Sequence, residues 1–195
     1  MRGAPCVGSS DGVEAVPADL ITARLALRQL RLDDAPFLAH EGGRPGVARM
    51  VARIPSLCPP LASELFILAA RAAEASRGDR VRLITQRADQ VPLGVIGLHP
   101  HGHGVWELGY WLAMSAWGRG IATEAGAAMI ADARIRGIER LIAGHFSDNP
   151  ASARVLTKLG FGYSDGGAET FMFSMGRLAR APHRAMALHI GPQTG

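Results

Sequence analysis

From Leu108 to Gly126 the chain reads LGYWLAMSAWGRGIATEAG, an aromatic strand-like segment, a glycine turn and an alanine-rich run. Trp117-Gly118-Arg119-Gly120 falls where the strand hands over to a helix. Glycines let the backbone approach a ligand closely, and the first N–H groups of a helix have no intrahelical acceptor. Such a join is suited to an anion, above all a phosphate. Contact would run through the backbone of Gly118, Gly120, Ile121, Ala122 and Thr123, with Arg119 adding charge. The segment is not a Walker loop, because no Gly-Lys-Ser/Thr follows. Nor is it a dinucleotide fingerprint, since Thr123 stands at the third glycine position and no βαβ unit opens there. A tight turn with no ligand is the plain alternative.

A second group that could do chemistry is His99, His101 and His103. Pro100 and Gly102 make this stretch a hairpin turn, and no Cys or carboxylate lies close in sequence, so no metal site is expected. Cys58 stands in the proline-rich PSLCPP, and Cys6 in a Gly/Ser/Pro/Ala leader over residues 1–19. Two cysteines so placed form no disulfide framework, which fits a reducing cytoplasm. No secretory h-region and no apolar run of membrane-spanning length is present.

Net charge is +4, with twenty Arg and the single Lys158. The arginines are dispersed and aromatics make up only 6% of residues, leaving few platforms for stacked bases. Nucleic acid is therefore not the expected partner; mild basicity suits an anionic cosubstrate.

The elements that must position the turn are legible in the periodicity. Ala23–Leu30 alternates as a half-buried strand, and Asp33-Asp34 offers capping oxygens. Residues 42–60, rich in Gly, Pro and Arg, hold a short helix and a loop. Leu61, Leu65, Leu68 and Ala72 recur at helical spacing and predict an amphipathic helix with that stripe inward. Strands are expected over 81–88, 92–99 and 105–112, a helix over 120–136, and a strand over 140–146. Asn149 as N-cap, Pro150 at N1 and Gly160 past the end bracket a short helix. A last strand spans 169–175; residues 177–195 form a C-terminal tail, expected to be loose after Arg180. The order predicts an α+β chain with a largely antiparallel sheet.

This order, with ELGYWL, WGRGIATEA and DNPASARVLTKLGF in sequence and ITARLALRQLRLDD at the start, resembles the GCN5-related N-acetyltransferase superfamily. Within it the chain is similar to the RimJ/RimL-like branch. The resemblance covers residues 20–176 as a single domain. It implies a mostly antiparallel mixed sheet flanked by helices, with a splayed strand pair forming an acetyl-CoA cleft. The phosphate would then be the pyrophosphate of coenzyme A, and the reaction acetyl transfer to a primary amine. Trp117 stands where the family's loop usually starts with a polar residue.

The resemblance also assigns roles. Backbone groups up to Leu112 would bind pantetheine and polarise the thioester carbonyl. Glu107 aligns with a strand glutamate used as general base; buried between Trp106 and Leu108 its pKa would rise, which suits that task. A sheet-surface or ion-paired glutamate is the alternative, and His145 on the next strand is a competing base. The tyrosine that many relatives use as acid is replaced by Leu156, leaving Ser152, in the Asn149-to-Ser152 pattern, as the remaining hydroxyl. Asn149 would bond the pantetheine arm, and Lys158 and Arg154 would reach the adenosine phosphate. The acceptor is expected to be a protein or peptide N-terminus, with small amines next. A homodimer is left open, and a weakly catalytic coenzyme-A-binding module is the competing reading.

Overall fold

The computed structural model describes residues 19–56 and 58–192, so nearly all of the leader, with Cys6, lies outside the described residues. Nine strands are described: β1 (Leu20–Ile21), β2 (Leu25–Gln29), β3 (Arg80–Gln86), β4 (Pro92–Gly102), β5 (Val105–Leu112), β6 (Arg140–Phe146), β7 (Gly162–Tyr163), β8 (Glu169–Ser174) and β9 (Ala179–His189). They form one sheet in the order β1-β2-β3-β4-β5-β6-β9-β7, with β8 also paired to β9. Every pairing is antiparallel except β5 with β6. The helices are α1 (Ala35–Phe37), α2 (Pro45–Ala48), α3 (Pro60–Arg77), α4 (Ile121–Ile135) and α5 (Pro150–Lys158).

Each face of the sheet carries its own core. Leu25, Ile96, Leu98 and Leu108 pack on one face with Met129 and Ile130 of α4 and Leu156 of α5. On the other, Leu83, Val95 and Trp111 meet Ala35 of α1, Val47 of α2 and Ile67 and Ala70 of α3. Because alternate residues of a strand face opposite sides, β5 sends Glu107 and Trp111 toward α3, and Leu108, Tyr110 and Leu112 toward α4.

Two expectations need correction. The helix over residues 61–75 forms, but its predicted inner stripe is outside: Leu61, Leu65 and Leu68 are 64%, 58% and 49% exposed. The inner face is instead Ser63, Ile67, Ala70 and the partly buried Glu74. Charge helps to orient the helix: the Glu74 carboxylate takes two hydrogen bonds from the buried Arg82 of β3, at 2.6 and 2.9 Å. A buried guanidinium requires such a partner, so this face turns inward although the other is more apolar. The second correction is the tail. Residues 179–189 are a full strand lying between β6 and β7. Pro182 and alanines scattered among Arg and His weaken its local signal, and the free edge of β6 supplies the pairing that no short-range pattern reveals.

Candidate active site

The glycine turn has the geometry that the sequence predicts for an anion site. Gly118 and Gly120 both have left-handed backbone, φ 71° and 74°, and Gly120 is the N-cap of α4. The Glu124 N–H makes the 3.0 Å bond to the Gly120 carbonyl that opens the helix. The N–H groups of Ile121, Ala122 and Thr123 precede it and are left for a ligand. Ile121 and Ala122 are themselves buried in the core, so they contribute backbone only. A carboxylate in the first turn would repel an anion, but Glu124 is tied to Arg24 at 2.6 Å. Burial opposes its ionisation; bonds from Thr22 and Arg24 outweigh that and hold its pKa below the usual range. The local charge is thereby cancelled, and the exposed Arg119 adds a cation.

Trp117 fastens this turn to β5. Its indole Nε1–H donates to the Leu112 carbonyl at 2.9 Å. The departure at the first loop position thus has a structural use: it joins the glycine turn to the end of the strand.

β5 pairs with β6 only from Val105 to Glu107, opposite Arg140 to Ile142. Beyond that the strands part. The Ala113 N–H donates to the Leu93 carbonyl on β4, and antiparallel alternation then directs the N–H groups of Trp111 and Gly109 to β4 as well. Those of Leu108, Tyr110 and Leu112 face the gap. Across it stands the first turn of α5, where Asn149 Oδ1 accepts from the Ser152 N–H at 3.1 Å. Ser152 Oγ lies 2.9 Å from the Tyr110 hydroxyl. Burial pushes the Tyr110 pKa up to about 12, against a smaller opposing effect of the Ser152 bond. Tyr110 carries no local signal of a role in the sequence; from the strand its hydroxyl reaches the first turn of α5. Leu156, at the relatives' tyrosine position, is fully buried. Arg154 and Lys158 are exposed on α5.

The candidate bases separate. His145 is 5% exposed, and both ring nitrogens are engaged: Nδ1 with the Phe146 carbonyl at 2.9 Å and Nε2 with the Tyr163 hydroxyl at 3.2 Å. A ring so satisfied has no lone pair to offer an amine. Glu107 faces the α3 side, but the burial expected for it is incomplete: its side chain is 31% exposed and Oε2 sits 3.1 Å from Arg53 Nη2. Both residues line a cavity of about 330 Å³ beneath α3, together with Phe66, Asp79 and His99. His99 Nδ1 is 2.8 Å from Asp79 Oδ1. No cluster able to hold a metal ion exists among the described residues.

The loop that carries Arg53 is fastened by the turn between β8 and β9. The Arg177 guanidinium donates to both Asp148 oxygens, at 2.7 and 2.9 Å, and to the Arg49 carbonyl at 2.7 Å. The Met175 N–H reaches the Ala52 carbonyl. The Arg177 bond holds the Asp148 pKa below the carboxylate range, with Arg49 assisting. The folded value lies under the unfolded one, so the clamp is complete at neutral pH and lost only as pH falls through the acidic carboxylate range. Arg177→Ala is expected to free the loop at a cost of about 1 kcal/mol. In steady-state kinetics it should raise the KM for the amine several-fold and leave acetyl-CoA affinity unchanged. An unchanged amine KM would separate this clamp from the cavity.

The Acetyltransferase (GNAT) domain model matches residues 24–162. No curated protein sequence matches the chain. Among solved structures, the chain is similar to RimL, a ribosomal L7/L12 alpha-N-protein acetyltransferase in complex with coenzyme A, with a TM-score of 0.76 at 18% identity over 88% of this chain and 98% of that one. It is similar to the ribosomal-protein-S5-alanine acetyltransferase from Vibrio fischeri at 0.74 and 18%, covering 88% and 96%. The microcin C7 self-immunity acetyltransferase MccE, in complex with acetyl-CoA and AMP, gives 0.74 and 18%, covering 87% and 94%. With a glycine-capped helix facing a parted parallel strand pair, and the domain model matching most of its length, the chain belongs to the GNAT acetyltransferase family.

Proposed function

We propose that this enzyme transfers an acetyl group from acetyl-CoA to the α-amine at a protein or peptide N-terminus, in the manner of the RimJ/RimL-like branch. The observation that carries the reading is the β5–β6 gap, which runs from the Glu107 register to the Trp117–Thr123 turn. Acetyl-CoA supplies the activated acyl carbon. The N–H groups of Gly118 to Thr123 and the Arg119 side chain hold its pyrophosphate, and Asn149 and the gap-facing N–H groups up to Leu112 hold pantetheine. Lys158 and Arg154 reach the adenosine phosphate. An N–H from Leu108 or Tyr110 polarises the thioester carbonyl. Glu107 takes part in drawing the proton from the amine, and the Tyr110–Ser152 pair serves the leaving sulfur.

Proton arithmetic favours an α-amine. Neutralising a lysine of reference pKa about 10.4 at pH 7 costs about 4.6 kcal/mol, whereas an α-amine near 8 costs about 1.4. A site whose carboxylate is shared with an arginine suits the easier amine. Two of the similar structures are named for ribosomal-protein substrates, which supports the same class, and the free Cys58 is in keeping with a cytoplasmic setting. Peptides with a free N-terminus and internal lysines should carry acetyl at the terminus when their products are mapped by mass spectrometry. Acetyl groups found mainly on lysine would refute the acceptor assignment.

A further inference from the structure

The cavity beneath α3 holds a residue pair outside the family resemblance. Asp79 is 3% exposed just before β3, and its carboxylate accepts from His99 on β4 and from Arg77 at the end of α3. When neutral, His99 can occupy this bond only with its proton on Nδ1, which leaves the lone pair on Nε2. No described residue hydrogen-bonds that nitrogen.

His99 Nε2 lies over Gly97, and the β5 residue paired with Gly97 is also a glycine. A Cβ on Gly97 would come within 2.7 Å of His99 Nε2, so the ring lies back over a position that only glycine leaves free. Gly97 pairs across the ladder with Gly109, where an added Cβ would meet nothing within 4 Å. His99 itself pairs with Glu107. Two imidazole- and carboxylate-bearing positions therefore stand side by side next to an open patch of backbone. That patch is on β5 just past Glu107, where the strand has left β6 and its neighbouring N–H groups, Leu108 and Tyr110, face the acyl site. Phe66 and the alanines of α3 roof the cavity, and Arg53, Arg77 and His101 complete its polar rim.

We propose that His99, oriented by Asp79, is the base that takes the proton of the acceptor ammonium, with Glu107 beside it. The inference rests on the acetyltransferase reading above. One ammonium proton passes to Nε2, giving an imidazolium held between Asp79 and the cavity, and leaves from there to water. The freed lone pair forms the C–N bond to the acyl carbon. As the C–S bond breaks, the second amine proton is passed through the Tyr110 hydroxyl to sulfur, so the products are amide, free thiol and one proton. Asp79 touches neither substrate and is a positioning residue.

Two measurements test this. Nitrogen NMR of the imidazole in the wild-type chain should find neutral His99 protonated on Nδ1, with Nε2 unprotonated. A ring protonated on Nε2 when neutral would overturn the proposal whether or not any amine is acetylated. In transfer assays with a peptide α-amine, His99→Gln should lower kcat about 100-fold at pH 7, with acetyl-CoA affinity unchanged. The loss should shrink as rising pH deprotonates the amine in solution. His99→Gln turning over at the wild-type rate with an unchanged pH profile would refute the base while leaving the acetyltransferase intact. Failure of the wild-type chain to release thiol with any amine would instead strike the reading on which the base depends. In Asp79→Asn, a change of the His99 tautomer to Nε2–H is the expected signature of positioning; a retained Nδ1–H would remove Asp79 from that role.

Discussion

Gly120→Val is expected to abolish measurable acetyl-CoA binding, raising Kd at least about 100-fold, while the chain keeps its fold. The reason is conformational before it is steric. Gly120 has φ 74°, a backbone region that costs an ordinary L-residue roughly 1–2 kcal/mol and a β-branched one more. Valine would relieve that strain by moving the turn, and the N–H groups of Ile121 to Thr123 would lose their common aim. Space around the site is not the obstacle: an added Cβ would have the Arg24 guanidinium at 3.6 Å as its near neighbour. Gly120→Ala should therefore fall between, with Kd raised about tenfold, a loss near 1.4 kcal/mol. Calorimetry with acetyl-CoA, beside circular dichroism for the fold, tests the series. Wild-type affinity in the valine variant would refute the assignment of the turn as the pyrophosphate site.

The glycine turn was readable because its signal is local: two glycines, a helix start and an alanine-rich run lie within a few residues. The same holds for Asn149 as the cap of α5, where the structure shows the bond to Ser152. Features without a local signal depend on distant partners. Leu61, Leu65 and Leu68 carry a stronger apolar period than Ser63, Ile67 and Ala70, yet the latter face the sheet that also supplies Arg82 to Glu74. β9 shows an apolar alternation in Met186 and Leu188, continued by Ile190 just past its end, but its place is set by the edge of β6. The surroundings of Glu107 are the least legible. Glu107 was singled out, whereas its guanidinium partner Arg53 comes from a loop with no periodic signal. His99 and Asp79 meet across 20 residues of chain, and the same histidine looked in sequence like part of a turn. The register of β4 with β5 places it opposite Glu107.

Tyr110→Phe is expected to lower kcat about 100-fold with little change in acetyl-CoA affinity, the magnitude of losing one preorganised donor. A phenol with pKa about 12 is fully protonated at any working pH, so no limb of the pH–rate profile should belong to it. Full proton transfer from that phenol to a thiolate of reference pKa about 8.5 would be uphill by several kcal/mol, on the order of 5. A free tyrosinate is thus an expensive intermediate. The hydroxyl is better suited to donate a hydrogen bond to the sulfur as charge builds and to replace its proton in the same motion from the attacking amine. Ser152, 2.9 Å away, holds the phenol in place, so Ser152→Ala should lower kcat less than Tyr110→Phe and still more than it weakens acetyl-CoA binding. Leu156→Phe removes no hydroxyl and should not abolish acid function. Single-turnover rates with a peptide α-amine discriminate these expectations. Tyr110→Phe reacting at the wild-type rate would show that the sulfur departs without help from this strand.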